Sequence, residues 1–204
     1  MADETSIDFW FTIGSTYTYL TVMRLEEVEK AAEVRFRWRP FDLRTIFNEA
    51  KYFPFPEGAP KTAYMWRDLE RRAAMYGIRL HLPVAYPAKD SALANKIALL
   101  GMQEGWGQTF VRSAYRQWFV HGNEMGSPSN VEASLKETGQ DQTRVLDLLG
   151  GVEIQQRWEA ETDQARRHGI FGSPTFVVDG ELFWGDDRLE DAVRWCRRVA
   201  QPAR

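Results

Sequence analysis

Apolar side chains crowd the stretch Ile7-Asp8-Phe9-Trp10-Phe11-Thr12-Ile13, which is rich in aromatic and β-branched residues and apolar on one face and partly on the other. That pattern predicts a buried, central strand. Gly14-Ser15-Thr16 breaks it and supplies cap residues, after which Tyr19, Leu20, Met23, Val28 and Ala31 recur at roughly helical spacing. Val34-Arg35-Phe36-Arg37-Trp38 alternates as a second strand, so the first unit reads βαβ.

Beyond the Pro-rich loop Tyr52 to Pro60 the period changes to helical, and each stretch carries stop or cap signals. Lys61 to Tyr76, Asp90 to Glu104 and Gln108 to His121 end at Gly77, Gly105 and Gly122. Ser127-Pro128 opens a helix ending near Gly139, and Gln142 to Leu149 and Val152 to His168 predict two more. Strand character returns at Thr175 to Val178 and Glu181 to Trp184, joined by the hairpin pair Asp179-Gly180, before an amphipathic helix from about Arg188 to Val199. The order is βαβ, a helical block, then ββα.

Composition narrows the function classes. The 26 basic and 29 acidic residues leave a net charge of -3, and the basic pairs have acidic neighbours, so no electrostatic case for nucleic acid arises. No segment reaches transmembrane length. The acidic start Met1-Ala2-Asp3-Glu4 lacks the basic and apolar regions of a secretory signal. Cys196 is the only cysteine, which excludes a dithiol redox cycle within one chain and fits a reducing cytoplasm. His81, His121 and His168 are isolated, without metal-ligand spacing, so no metal site is expected. Ser15 has no Gly-x-Ser-x-Gly frame. Trp66 and Trp118 suit either an apolar pocket or the core.

A sheet whose halves lie at the two ends of the chain, with helices between, predicts an α/β thioredoxin-like fold with a large all-helical insertion. The boundaries expected are 1–44 and 170–204 for the thioredoxin-like part and 45–169 for the insertion. In such a frame the turn after the first strand puts free amides and a positive helix end where they stabilise a thiolate.

The segment Phe9-Trp10-Phe11-Thr12-Ile13-Gly14-Ser15-Thr16-Tyr17-Thr18-Tyr19-Leu20 resembles the opening of the 2-hydroxychromene-2-carboxylate isomerases and kappa-class glutathione transferases, in the DsbA-type branch of thioredoxin-like proteins. Where that branch's oxidoreductases carry Cys-x-x-Cys, this chain has Ser15-Thr16-Tyr17-Thr18. Ser15 is also well placed simply to cap the first helix.

Two further matches are Gly172-Ser173-Pro174-Thr175 and Trp184-Gly185-Asp186-Asp187-Arg188-Leu189. The resemblance implies a cis peptide at Pro174, a Ser173 backbone that pairs with the cysteinyl unit of glutathione, and Asp187 and Arg188 on its γ-glutamyl end. Taken alone, a proline entering a strand is more often trans, and Asp186 or Asp187 suits a helix N-cap. Lys61 heads a segment similar to the first insertion helix of the isomerases, where a lysine reaches the glycyl carboxylate; most first-turn lysines are solvated. Tyr52 departs from the asparagine of many relatives, and Thr16 from their proline.

The function implied is that of a glutathione-dependent isomerase, with Ser15 stabilising the thiolate of the cofactor glutathione and a small electrophilic, aromatic-derived substrate. Trp184-Gly185 and the chain length favour the isomerases over a kappa-class transferase or peroxidase; a non-catalytic thioredoxin-like binding module is the reading from a different class. Relatives of this kind are mostly dimers, so a homodimer in the cytoplasm is expected, with no nucleic acid and no membrane as partner.

Overall fold

Strand β1 (Ser6–Phe11) is the hub of the sheet, buried along nearly all its length. It pairs in parallel with β2 (Arg35–Pro40), Phe9 facing Trp38, and antiparallel with β3 (Thr175–Val178). Strand β4 (Glu181–Trp184) pairs antiparallel with β3, giving the order β2-β1-β3-β4. This computed structural model describes residues 6–56, 58–88 and 91–200; Met1–Glu4 and the expected helix start at Asp90 lie outside the described residues.

The aromatic content of β1 is spent on ring packing. Phe9 stacks on Phe11 at 5.1 Å and on Phe176 of β3 at 5.6 Å, all three with no exposed surface. Burying one such side chain is worth about 1.5–3 kcal/mol. The hairpin forms on Asp179-Gly180 as expected, with φ of +50° and +80°, the pair of left-handed residues that a tight two-residue turn requires.

Helix α1 (Thr16–Ala32) connects β1 to β2. Its buried face includes Tyr19 and Leu20, as the spacing predicts, together with Val22, Leu25 and Ala32, while Ala31 is exposed. Helix α2 (Leu43–Glu49), absent from the sequence expectations, follows β2. Seven residues are too few to display a period, and its clearest signal is local: the Asp42 carboxylate accepts the Thr45 amide at 3.0 Å.

The helical block then comprises α3 (Pro60–Tyr76), α4 (Ser91–Glu104), α5 (Gly107–Phe119), α6 (Pro128–Glu137), α7 (Gln142–Leu149) and α8 (Val152–Arg167). Pro60 and Pro128 occupy first helical turns, and the Ser127 hydroxyl accepts the Asn130 amide at 3.3 Å. The chain closes with a 3-10 turn (Asp186–Arg188) and α9 (Leu189–Val199). One buried cluster runs from Phe9 and Phe176 of the sheet into Ile97, Tyr115 and Trp118 of the block. Trp118 donates to the Ala85 carbonyl at 3.0 Å, and Trp66 packs edge-on to Tyr86, so both belong to the packing.

Candidate active site

The strand expected to reach Ile13 stops at Phe11, because side chains take over the backbone groups that follow. Ser173 Oγ accepts the Thr12 amide at 2.9 Å. Asn95 on α4, 1% exposed, accepts the Ile13 amide at 2.7 Å and donates to the Ile13 carbonyl at 3.0 Å. From α5, the phenol of fully buried Tyr115 lies 3.2 Å and 3.1 Å from the carbonyls of Thr12 and Ser15, its single proton shared between them. Burial raises that phenol above its ordinary pKa, which keeps it a donor. The insertion therefore clamps the turn that carries Ser15.

Ser15 occupies the N-cap position of α1 with extended backbone, yet its side chain caps nothing. Its hydroxyl donates instead to the Ser173 carbonyl at 2.7 Å. The first turn of α1 contains no acidic residue, so the positive end of the helix stays uncompensated beside that hydroxyl. Thr18, at the second position of the Ser-x-x-Thr frame, is fully buried, and its hydroxyl lies 2.8 Å from Ser173 Oγ. The Ser173–Pro174 peptide is cis, as are Leu82–Pro83 and Tyr86–Pro87. Ser173 thus meets Thr12 and Thr18 through its hydroxyl and Ser15 through its carbonyl.

These groups open onto a cavity of about 880 Å³ between the sheet end and the helical block. Ser15, Lys61, Ser173, Pro174 and Asp187 all line it; Arg188 does not. The Arg188 guanidinium is held on the outside by Asp191 at 2.8 Å and Asp187 at 3.2 Å. The cation that faces the cavity near Asp187 is Arg72 of α3, which pairs with Asp186 at 3.1 Å and Asp68 at 3.3 Å and lies 3.9 Å from Asp187.

Asp186 does not cap α9. Its buried carboxylate accepts from Thr21 at 3.0 Å and pairs with Arg24 and Arg72, tying the 3-10 turn to α1 and α3. Burial raises its pKa, a shift opposed by Arg24, Thr21 and Arg72. Tyr17 donates to Asp68 at 3.1 Å, extending the network to the residue two after Ser15.

Lys61 Nζ lies 3.3 Å from the Tyr52 hydroxyl and 5.2 Å from the centre of the Phe55 ring. Tyr52 and Lys61 thus meet where both line the cavity. Exposed Phe171 and Trp184 form another part of the rim, edge to face at 4.9 Å. A Cβ on Gly172 would collide with the Trp184 indole, so the tryptophan lies against bare backbone there.

Sequence reasoning missed Asn95, Tyr115, Arg72 and the hydroxyl role of Thr18. For Asn95 a signal exists, since an amide in the apolar run Ser91 to Leu100 falls on a buried face and needs partners. Thr18 is marked by its place at the second position of the Ser15-Thr16-Tyr17-Thr18 frame, though not its partner; nothing local marks Tyr115 or Arg72.

A thioredoxin-like sheet and helix, a cis-proline facing the start of α1, and hydroxyls at both positions of the reactive turn define a DsbA-type protein without its redox sulfurs. The chain belongs to the DSBA-like thioredoxin domain family, whose model matches residues 6–194. It is 28% identical over 187 residues to a 2-hydroxychromene-2-carboxylate isomerase of Sphingobium xenophagum, covering 91% of this chain and 94% of that one. An isomerase of the same name from Pseudomonas putida is 26% identical over 200 residues, covering 95% and 97%. Among solved structures, a 2-hydroxychromene-2-carboxylate isomerase superposes with a TM-score of 0.79 at 24% identity, over 98% of this chain and 100% of that one. The cytosolic disulfide reductase DsbM from Pseudomonas aeruginosa, solved with GSH, gives 0.63 at 16% identity, over 95% and 96%.

Proposed function

We propose that this protein is a glutathione-dependent isomerase of the 2-hydroxychromene-2-carboxylate type, in which Ser15 stabilises the thiolate of bound glutathione. The observation that carries the reading is the uncommitted end of α1: a Ser15 hydroxyl that caps no amide and lies one hydrogen bond from Ser173, the residue ahead of Pro174.

Glutathione laid along Ser173 would offer its cysteinyl amide to the Ser173 carbonyl, which now accepts from Ser15. The Ser15 hydroxyl is then free to turn and donate to the sulfur. A thiol of pKa about 8.5 is mostly protonated at neutral pH; lowering it by about two units takes about 2.7 kcal/mol. One charge-assisted hydrogen bond, the helix end and nearby amides can share that amount. The thiolate adds to the conjugated substrate, forming a C–S bond; after ring opening and rotation the same bond breaks and glutathione leaves unchanged. Ser15 stays a donor throughout and forms no covalent bond.

Lys61 suits the glycyl carboxylate. At the γ-glutamyl end Asp187 suits the ammonium and Arg72, rather than the externally paired Arg188, faces the cavity as the cation. A cytoplasmic homodimer completes the proposal. Among the described residues no helix is long and apolar enough to cross a membrane.

The test is spectrophotometric interconversion of 2-hydroxychromene-2-carboxylate and its ring-opened isomer, with and without glutathione. We expect turnover only with glutathione and full recovery of the thiol. Loss of glutathione into a stable conjugate would move the protein to the kappa-class transferases, and no glutathione binding at millimolar concentration would leave a binding module.

A further inference from the structure

Among the described residues, three cationic side chains line the cavity: Arg44, Lys61 and Arg72. Arg72 is paired with Asp68 and Asp186 and is the cation proposed above for the γ-glutamyl end of glutathione. Lys61 meets a phenol and two rings and is the cation proposed above for glutathione. Arg44 donates from Nη2 to the Ala88 carbonyl at 2.8 Å and forms no ion pair with any described residue. A guanidinium carries five N–H donors, in a planar fork that matches a carboxylate.

The position of Arg44 is not explained by helix stability. It lies in the first turn of α2, where a cation opposes the helix dipole. The neighbouring carboxylate, Asp42, is occupied by the amide and hydroxyl of Thr45. Topology separates Arg44 from the cofactor groups: α2 follows β2, one edge of the sheet, whereas Asp187 follows β4, the other edge, and Ser15 follows the central β1. Ala88, which holds the Arg44 guanidinium, packs at the reactive turn; a Cβ on Gly14 would meet the Ala88 Cβ at 3.8 Å. Phe47, Tyr86, Pro87 and Trp158 line the cavity with Arg44 and offer apolar surface to a conjugated ring.

We infer that Arg44 anchors a carboxylate on the second substrate, so that the site selects conjugated aromatic acids and presents their electrophilic carbon to the sulfur at Ser15. This rests on the isomerase reading for the identity of the substrate, but not for the anion site itself. Arg44 acts on binding and orientation, with no part in bond making.

The test uses the full-length protein, with Arg44→Gln and Arg44→Lys, at saturating glutathione. With 2-hydroxychromene-2-carboxylate, Arg44→Gln should raise KM about 10- to 100-fold while kcat changes far less, and Arg44→Lys should fall between. KM for the methyl ester should not respond to either substitution. Equal shifts for acid and ester, or none, overturn the inference, as does a matching rise in the glutathione Kd. A calorimetric titration with naphthalene-2-carboxylate, which cannot isomerise, separates this claim from the isomerase reading. Weaker binding to Arg44→Gln than to wild type supports the anion site even where wild type fails to turn over the chromene. Equal binding, or no binding to wild type, removes it.

Discussion

The Ser15 hydroxyl donates to the Ser173 carbonyl at 2.7 Å, joining two residues separated by 158 positions in sequence. This bond brings the start of α1 against the residue that precedes Pro174, and it shows that the helix cap position is held by a serine whose side chain faces the cavity.

Ser15→Ala should therefore leave the fold intact and still bind glutathione, because it removes no helix cap. The bound thiol loses one charge-assisted hydrogen bond, about 1.5–3 kcal/mol, and its pKa should rise by about one to two units. Activity falls at neutral pH and partly returns at alkaline pH. Thiolate absorbance near 240 nm, titrated with glutathione present, reads this directly; coincident titrations for wild type and variant would mean that Ser15 does not act on the sulfur.

Asn95→Leu should loosen the reactive turn from a distance. Asn95 satisfies the Ile13 amide and carbonyl and also bonds Ser91 and Thr12, and each buried backbone group left unpaired costs about 1–3 kcal/mol. Hydrogen exchange at Ile13 should speed up together with a lowered urea midpoint. Unchanged exchange there would show that Tyr115 and Ser173 hold the turn unaided.

Arg72→Gln should raise the glutathione Kd more than Arg188→Gln does, since Arg72 lines the cavity and Arg188 is paired on the outside. Calorimetry well below the melting temperature avoids the stability loss caused by withdrawing a partner from buried Asp186. The opposite ranking would mean that Arg188 leaves Asp191 and swings inward when glutathione binds.

Asp186→Ala should cost about 1–3 kcal/mol, because it withdraws the buried carboxylate that Arg24 and Arg72 share and leaves them only their outer partners, Glu190 and Asp68. Urea denaturation measures it. A loss below about 1 kcal/mol would place little weight on the tie between the 3-10 turn, α1 and α3.

Alkaline pH should destabilise the fold through Tyr19. Burial pushes its phenol up to about 12, against 10.0 when free. The unfolded chain ionises first, so the stability this group contributes is complete below pH 10 and is lost as pH rises to about 12, by up to about 2.7 kcal/mol. Denaturation curves at pH 9 and pH 11.5, compared for wild type and Tyr19→Phe, check the sign: the difference between the two proteins should shift in favour of the Phe variant at the higher pH.

The sequence by itself determined what depends on local periodicity and on short motifs. The apolar run at Phe9, the helical spacing after Thr16, the Asp179-Gly180 turn and the Gly and Pro stops gave the order of elements, and the segments around Ser15 and Pro174 marked the two ends that form the site. Strand and helix periods are written within ten residues, so they survive without knowledge of the rest of the chain. Only the tertiary structure decided what those side chains touch. It turned the Ser15 hydroxyl from the helix amides to Ser173, cut β1 short at Phe11 by means of Asn95 and Ser173, drew Arg72 inside and left Arg188 outside. A hydrogen bond between residues 82 to 161 positions apart leaves no periodic trace, because its geometry depends on how distant segments pack at the sheet end rather than on the residues beside it.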